Sequence, residues 1–144
     1  MRGVRTFLSW VLAIFIIVMF LIMADEQLFS DPNTPNVLFS VLAEKTGIAL
    51  FEPTGRYLTG LIEIFTAFWL LLPFSRRFGA FLALCVSGAA VALHLSPYLG
   101  QEVPTVLGGT ETDGGELFYL AIALTAASGL LLFAHPKTRK RRSF

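Results

Sequence analysis

Apolar positions in this chain gather into four long runs of about twenty residues, set apart by polar stretches, and that pattern predicts the architecture before any single residue is weighed. A helix crosses a hydrocarbon core of ~30 Å with ~20 mostly apolar residues, because it rises ~1.5 Å per residue. Residues 6–24, 55–73, 78–98 and 116–134 meet that requirement. The first run holds no charge, the second contains one acid, Glu63, and the third is rich in small residues and has His94 near its end. The pattern predicts an all-α membrane protein, an antiparallel bundle of four transmembrane helices forming a single integral domain over residues 1–144. Arg2 and Arg5 precede the first run as they would in a secretory leader. The run is longer than a leader's apolar core, however, and ends at Ile22-Met23-Ala24, so it is expected to remain as a span.

The connections differ in character. Pro73-Phe74-Ser75-Arg76-Arg77 is so short that the second and third spans must be antiparallel neighbours. In residues 25–54, Ser30-Asp31-Pro32-Asn33 is turn-prone and Thr34-Pro35 supplies a helix start. Val37, Leu38, Val41 and Leu42 then share a face, which predicts a short amphipathic helix in the first outer loop, capping the bundle. Residues 99–115 are glycine-rich and acidic and lack the lysine and flanking strand of a phosphate-binding loop, so an adaptable loop is expected there. Small residues let membrane helices approach closely; Gly79, Ala83, Ser87 and Ala90 mark such a stripe on the third span, with Ala123, Ala127, Ser128 and Gly129 on the fourth.

Composition agrees with lipid as the solvent. The chain is 55% hydrophobic and 15% charged, with a mean hydropathy of +0.70, whereas soluble domains carry about 25% charged residues. Disorder, a nucleic-acid partner and a disulfide scaffold are excluded. The lone Cys85 is read as a small buried hydrophobe. The net charge of +1 hides a strong segregation. Arg2, Arg5, Arg76, Arg77, Lys137, Arg139, Lys140, Arg141 and Arg142 fall on one side of the predicted membrane, while Lys45 and Arg56 fall on the other. The acids follow the reverse pattern, with Asp25, Glu26, Asp31, Glu44, Glu52, Glu102, Glu111, Asp113 and Glu116 on the second side. Because cytoplasmic flanks are enriched in Lys and Arg, the expected location is the bacterial inner membrane with both termini cytoplasmic. Residues 135–144 would form a basic cytoplasmic tail attracted to anionic lipid. Trp10 and Trp69 then lie near inner ends and Tyr57, Tyr98 and Tyr119 near outer ends.

Glu63 is the informative polar position, since a carboxylate inside a span is costly and marks an interior or functional site. Arg56, Thr59, Gly60, Thr66 and Ala67 share its helical face, which is polar and small and therefore looks inward. Helical rise puts Glu63 ~15 Å from the inner boundary and His94 ~24 Å from it. A polar pocket opening outward is predicted, with Arg56, Glu63, His94, Tyr98 and Glu116 as candidates for ligand binding or proton handling. Two other readings stand beside it: a neutral Glu63 that only fixes helix packing, and an outer group that only meets water. His135 lies at the far end of the last span, so it cannot share an iron with His94, and no metal-ligand spacing is present. No nucleophile motif or nucleotide loop appears, and catalytic residues remain unassigned.

Several segments together resemble the DoxX family of small four-helix bacterial membrane proteins. They are Gly60-Leu61-Ile62-Glu63, Leu71-Leu72-Pro73, Gly79-Ala80-Phe81-Leu82-Ala83-Leu84, Ala92-Leu93-His94-Leu95 and Asp113-Gly114-Gly115-Glu116-Leu117-Phe118, within a likeness that covers residues 7–134. Some relatives are linked to quinone-coupled sulfur oxidation or to membrane redox complexes. The sequence departs from the pattern in lacking a cysteine pair and a lysine after the first span, where Glu26-Gln27 stands, and this removes the basis for carrying thiol chemistry over. The resemblance implies an accessory membrane subunit, not an enzyme on its own, whose pocket holds a quinone, lipid or small solute. Its partners would be the bilayer and either a membrane redox protein or further copies of itself. The alternatives are the membrane subunit of a quinone-linked oxidoreductase whose redox centre sits on a partner, and a small-solute transporter or structural subunit of a larger complex.

Overall fold

The computed structural model describes residues 2–135. Its helices are α1 (Arg2–Phe29), α2 (Val37–Thr46), α3 (Thr54–Leu71), α4 (Arg76–Leu95) and α5 (Glu116–Ala134), with a single 3-10 turn at Ala49–Phe51. No strand occurs among the described residues. Of the predicted basic tail only His135 falls within them; Lys137, Arg139, Lys140, Arg141 and Arg142 lie outside. Helices α1, α4 and α5 are long and apolar enough to cross a membrane. Helix α3 spans 18 residues, but Arg56 and Glu63 lower its average hydropathy and it is not among those three.

The C-terminal ends of two helices differ from the sequence expectation for identifiable reasons. The first helix runs past residue 24, because Asp25, Glu26 and Gln27 are compatible with a helix, and it stops ahead of Pro32. The third long helix ends at Leu95 and not near residue 98, since Ser96 precedes Pro97 and the residue before a proline is driven out of the helical region.

The four long helices pack in a closed cycle, α1 against α3 and α5, and α4 against the same two, with little contact along the α1–α4 diagonal. Ser9 near the start of α1 meets Arg76 at the start of α4 and His135 just past α5, so these three ends share one side. We call this the terminal end and its opposite the loop end. A core of Ala13, Ile16, Phe20, Leu70, Ala80, Ala83, Leu124, Ala127 and Leu131 fills the interior. The small members let the backbones approach. The tightest approach is at Gly79, where a Cβ would lie 2.7 Å from the Leu70 amide nitrogen.

The outward surface of all four long helices is apolar, with Phe7, Leu58, Leu61, Phe65, Phe68, Phe81 and Leu130 all more than half exposed. Two expectations fail on this surface. Cys85 is exposed and not a buried filler, and Ala123 is also exposed, because each lies on the outward side of its helix while Ala83, Ser87, Ala127 and Ser128 take the interior positions.

Helix α2 covers the loop end. Its start is Asn36 and not the predicted Thr34-Pro35, since the Asn36 side chain accepts the Phe39 amide at 3.3 Å. Gly47 ends it in the left-handed conformation, φ 72°. Val41 and Leu42 pack on Leu99 and Val103 in a second apolar cluster, so the predicted amphipathic helix does lie over the packed helices. The glycine-rich loop beneath it is tied down where an adaptable one was expected. Thr105 N–H donates to the Glu111 carbonyl at 3.0 Å and Asp113 N–H to the Val103 carbonyl at 2.9 Å. The Asp113 carboxylate meanwhile accepts the amides of Val103, Gly115 and Leu117 at 2.9–3.0 Å. Desolvation acts to raise the Asp113 pKa, but those three amides and the nearby His94 outweigh it and hold the carboxyl below its usual range.

Candidate functional site: a polar-tipped apolar cavity

Glu63 is only 1% exposed, placed by the inward face of α3 that also buries Gly60, Thr66, Ala67 and Leu70. Gln27 of α1, itself buried, donates Nε2 to Glu63 Oε1 at a long 3.5 Å. Among the described residues, Glu63 Oε2 and Gln27 Oε1 are both buried without a partner. Gly60 is what lets α1 come close enough for this contact, since a Cβ there would lie 2.8 Å from Leu28 Cγ.

His94 sits on the last turn of α4, buried, with its ring tilted against Phe118 at 5.7 Å between centroids. Its Nδ1 is 2.8 Å from the Gly100 carbonyl. A carbonyl only accepts, so Nδ1 carries the proton of that bond.

Glu63, Gln27 and His94 all line one cavity of about 280 Å³, walled by Phe20 and Met23 of α1, Val86 and Leu93 of α4, and Leu120 and Leu124 of α5, with Leu38 and Phe39 of α2 as its cover. The walls are overwhelmingly apolar, as in most small-molecule sites. Two hydroxyls on the wall, Thr59 and Ser87, are spent on their own helices, donating to the carbonyls of Gly55 at 2.8 Å and Ala83 at 2.7 Å.

The predicted set therefore divides. Glu63 and His94 share the cavity, and no hydrogen bond joins them among the described residues. Arg56, Tyr98 and Glu116 do not line it. Arg56 is buried, but its reach is taken up by Glu52, with Nε 3.1 Å from Oε1, and by Tyr57, whose hydroxyl accepts Nη2 at 3.3 Å. Tyr98 follows the break at Pro97 and is 46% exposed. Glu116 opens α5 on the solvent side and is exposed. The residue that sequence reasoning missed is Gln27, which lies beyond the predicted end of the first span. The signal available was the helix-compatible run Asp25-Glu26-Gln27 ahead of Pro32.

A second polar cluster lies at the terminal end. Arg76, 1% exposed, donates Nε to the Leu70 carbonyl at 2.9 Å and Nη1 to Ser9 Oγ at 3.3 Å, and its guanidinium carbon stands 3.7 Å from the Trp10 ring centroid. Ser9 Oγ is in turn 2.8 Å from His135 Nδ1, and Arg77 donates Nη2 to the His135 carbonyl at 2.9 Å. Burial first, then Arg76 and Arg77, push the His135 pKa below its ordinary value, against the opposing pull of the Pro73 carbonyl.

Among the described residues no three His, Cys, Asp or Glu side chains gather as a metal site would require. Comparison with known proteins finds no matching family model, no matching curated protein and no matching solved structure.

Proposed function

We propose that the chain is an integral membrane protein of four spans, similar to the DoxX family, that binds an amphipathic small molecule in the cavity between α1, α3, α4 and α5. The observation that carries this reading is the pairing of buried Glu63 and His94 on an otherwise apolar cavity. A carboxyl group inside a span is expensive and is retained where it meets a ligand, a proton path or a partner helix. Helix α3 joins the three more apolar helices as a span because its polar residues, Arg56, Glu63 and Thr66, are buried while Leu58, Leu61, Phe65 and Phe68 face outward. Charge segregation orients the protein, with the Arg5, Arg76 and Arg77 end in the cytoplasm.

The chain works as a binding or accessory subunit. Glu63 and His94 supply the polar contacts, and any redox centre belongs to a partner. The test is purification in mild detergent followed by solvent extraction and mass spectrometry. An enriched amphipath in the native protein, depleted at least several-fold in Glu63→Gln, is the expected result. An extract identical to that of an unrelated membrane protein, with Glu63→Gln as stable as the native chain, would leave Glu63 a packing residue only.

A further inference from the structure

Resting on that binding reading, we propose that the polar head the cavity receives is an ammonium group, so that the ligand is a hydrophobic amine. The hydrogen-bonding inventory of the walls is one-sided. Most donors there are already used: the Thr59 and Ser87 hydroxyls bond to their own helices, one N–H of Gln27 Nε2 is turned to Glu63, and His94 Nδ1 is given to the Gly100 carbonyl. The cavity-wall atoms left without a partner among the described residues are acceptors, Glu63 Oε2 and Gln27 Oε1, both buried. Buried acceptors without donors are rare in native structures and call for an occupant that donates. A quinone or ketone carbonyl brings only another acceptor. An ammonium brings three donors and the positive charge that a buried carboxylate needs.

The route in has the same bias. A second cavity of about 340 Å³ lies toward the loop end and shares Met23, Gln27, Leu38, Phe39 and Leu117 with the first. Glu26 and Asp113 line it, and among the described residues no lysine or arginine lines either cavity. The segments of the loop end as a whole carry Asp25, Asp31, Glu44, Glu102 and Glu111 against Lys45, with Arg56 already held by Glu52. A charge pattern of one sign at a concave entrance concentrates the opposite charge. The apolar remainder of the cavity then selects a cation with a hydrocarbon body over a simple metal ion or a polyamine.

The test uses the full-length protein in mild detergent and three probes of one shape, 2-phenylethylamine, 2-phenylethanol and phenylacetate, titrated calorimetrically at low salt. The amine is expected to bind at least about ten-fold more tightly than the alcohol, as a charge-assisted contact implies, with phenylacetate undetected. Glu63→Gln should abolish that preference while its thermal midpoint stays near the native value, and Gln27→Leu should weaken the amine alone. If Glu63→Gln does not fold, Glu63→Asp serves in its place: it keeps the charge but withdraws it by one methylene, and should lower amine affinity without reversing the order. Equal affinity for amine and alcohol, or tighter phenylacetate, overturns the ammonium assignment and leaves the cavity as a binding site. Absence of binding by all three, with nothing enriched in the extract, overturns the binding reading and this proposal with it.

Discussion

Two glycines on one helix separate packing from propensity. Gly79 faces the α3 backbone, where a Cβ would sit 2.7 Å from the Leu70 amide nitrogen and 2.9 Å from the Trp69 carbonyl carbon, and backbone cannot swing aside as a side chain can. Gly88 has nothing within 4 Å of the same position. Gly79→Ala should therefore destabilise by about 1–3 kcal/mol, the cost of overpacking. Gly88→Ala should be neutral or stabilise by up to ~1 kcal/mol through helix propensity; thermal unfolding in detergent reads both, and equal effects would contradict the close α3–α4 approach. His135 gives a second test at this scale. Its depressed pKa means that the folded protein holds fewer protons than the unfolded chain below the ordinary pKa of 6.5. Its contribution to stability is present above pH 6.5 and falls away as pH drops through the lowered folded value, when a charge forms on the half-buried ring beside Arg76 and Arg77. His135→Asn should flatten that part of the pH profile, and an unchanged slope would remove His135 as its source. Glu63 was legible from sequence because a lone acid in an apolar run has few explanations. The sequence marks Arg76 only as a topology signal, because nothing in the order of residues says that Ser9, Trp10 and the Leu70 carbonyl converge around it.

At the level of elements, helices were easier to foresee than what their ends do. The apolar runs already mark the long helices, and the shared face of Val37, Leu38, Val41 and Leu42 marks α2. The loop of residues 99–115 was not legible, since its order comes from one side chain, Asp113, taking three amides that lie 10 residues back and 2 and 4 residues ahead. Glycine content suggests looseness; here Gly115 at φ 85° instead allows the tight entry into α5. Asp113→Asn should lose the charge that these amides favour and at least one of their bonds, costing about 1–3 kcal/mol locally. Amide exchange at Val103, Gly115 and Leu117 should speed up, while exchange in the middle of α4 and α5 stays as it was. Because the Asp113 carboxyl is held below its ordinary range, the same loosening should appear in the native protein when pH falls below 3.8 and through the lowered value, with full protection above it. Uniform protection across that range would show that the loop is held by its backbone pairs alone.

For the whole molecule, the number of spans is a question of parity. Three spans would place residue 5 and the segment before α5 on geometric terms different from four, because α4 and α5 are joined at the loop end while α1 and α4 start together at the terminal end. The starts of α1 and α4 can share one side of a membrane only if the chain crosses back between them, and α3 is the helix available to do it. Its inward Arg56, Glu63 and Thr66 depress its mean hydropathy, yet its outward Leu58, Leu61, Phe65 and Phe68 present the lipid-like face of the other three. Average hydropathy counts both faces, whereas lipid meets only one. The expectation is testable with the single cysteine replaced, Cys85→Ser, and new cysteines placed one at a time at Thr46, Ser75 and Thr110. In intact cells whose outer membrane has been permeabilised, an impermeant maleimide should label Thr46→Cys and Thr110→Cys and leave Ser75→Cys untouched until the inner membrane is opened. Labelling of Thr46→Cys and Ser75→Cys from one side, with Thr110→Cys reached only from the other, would mean that α3 lies outside the bilayer. Labelling of Ser75→Cys alone would keep four spans but invert the orientation that the segregation of arginines implies. The native Cys85 supplies an internal control: exposed on α4 within the apolar belt, it should resist the impermeant reagent in membranes and react once detergent replaces lipid with a more permeable surround, whereas a buried thiol would resist in both.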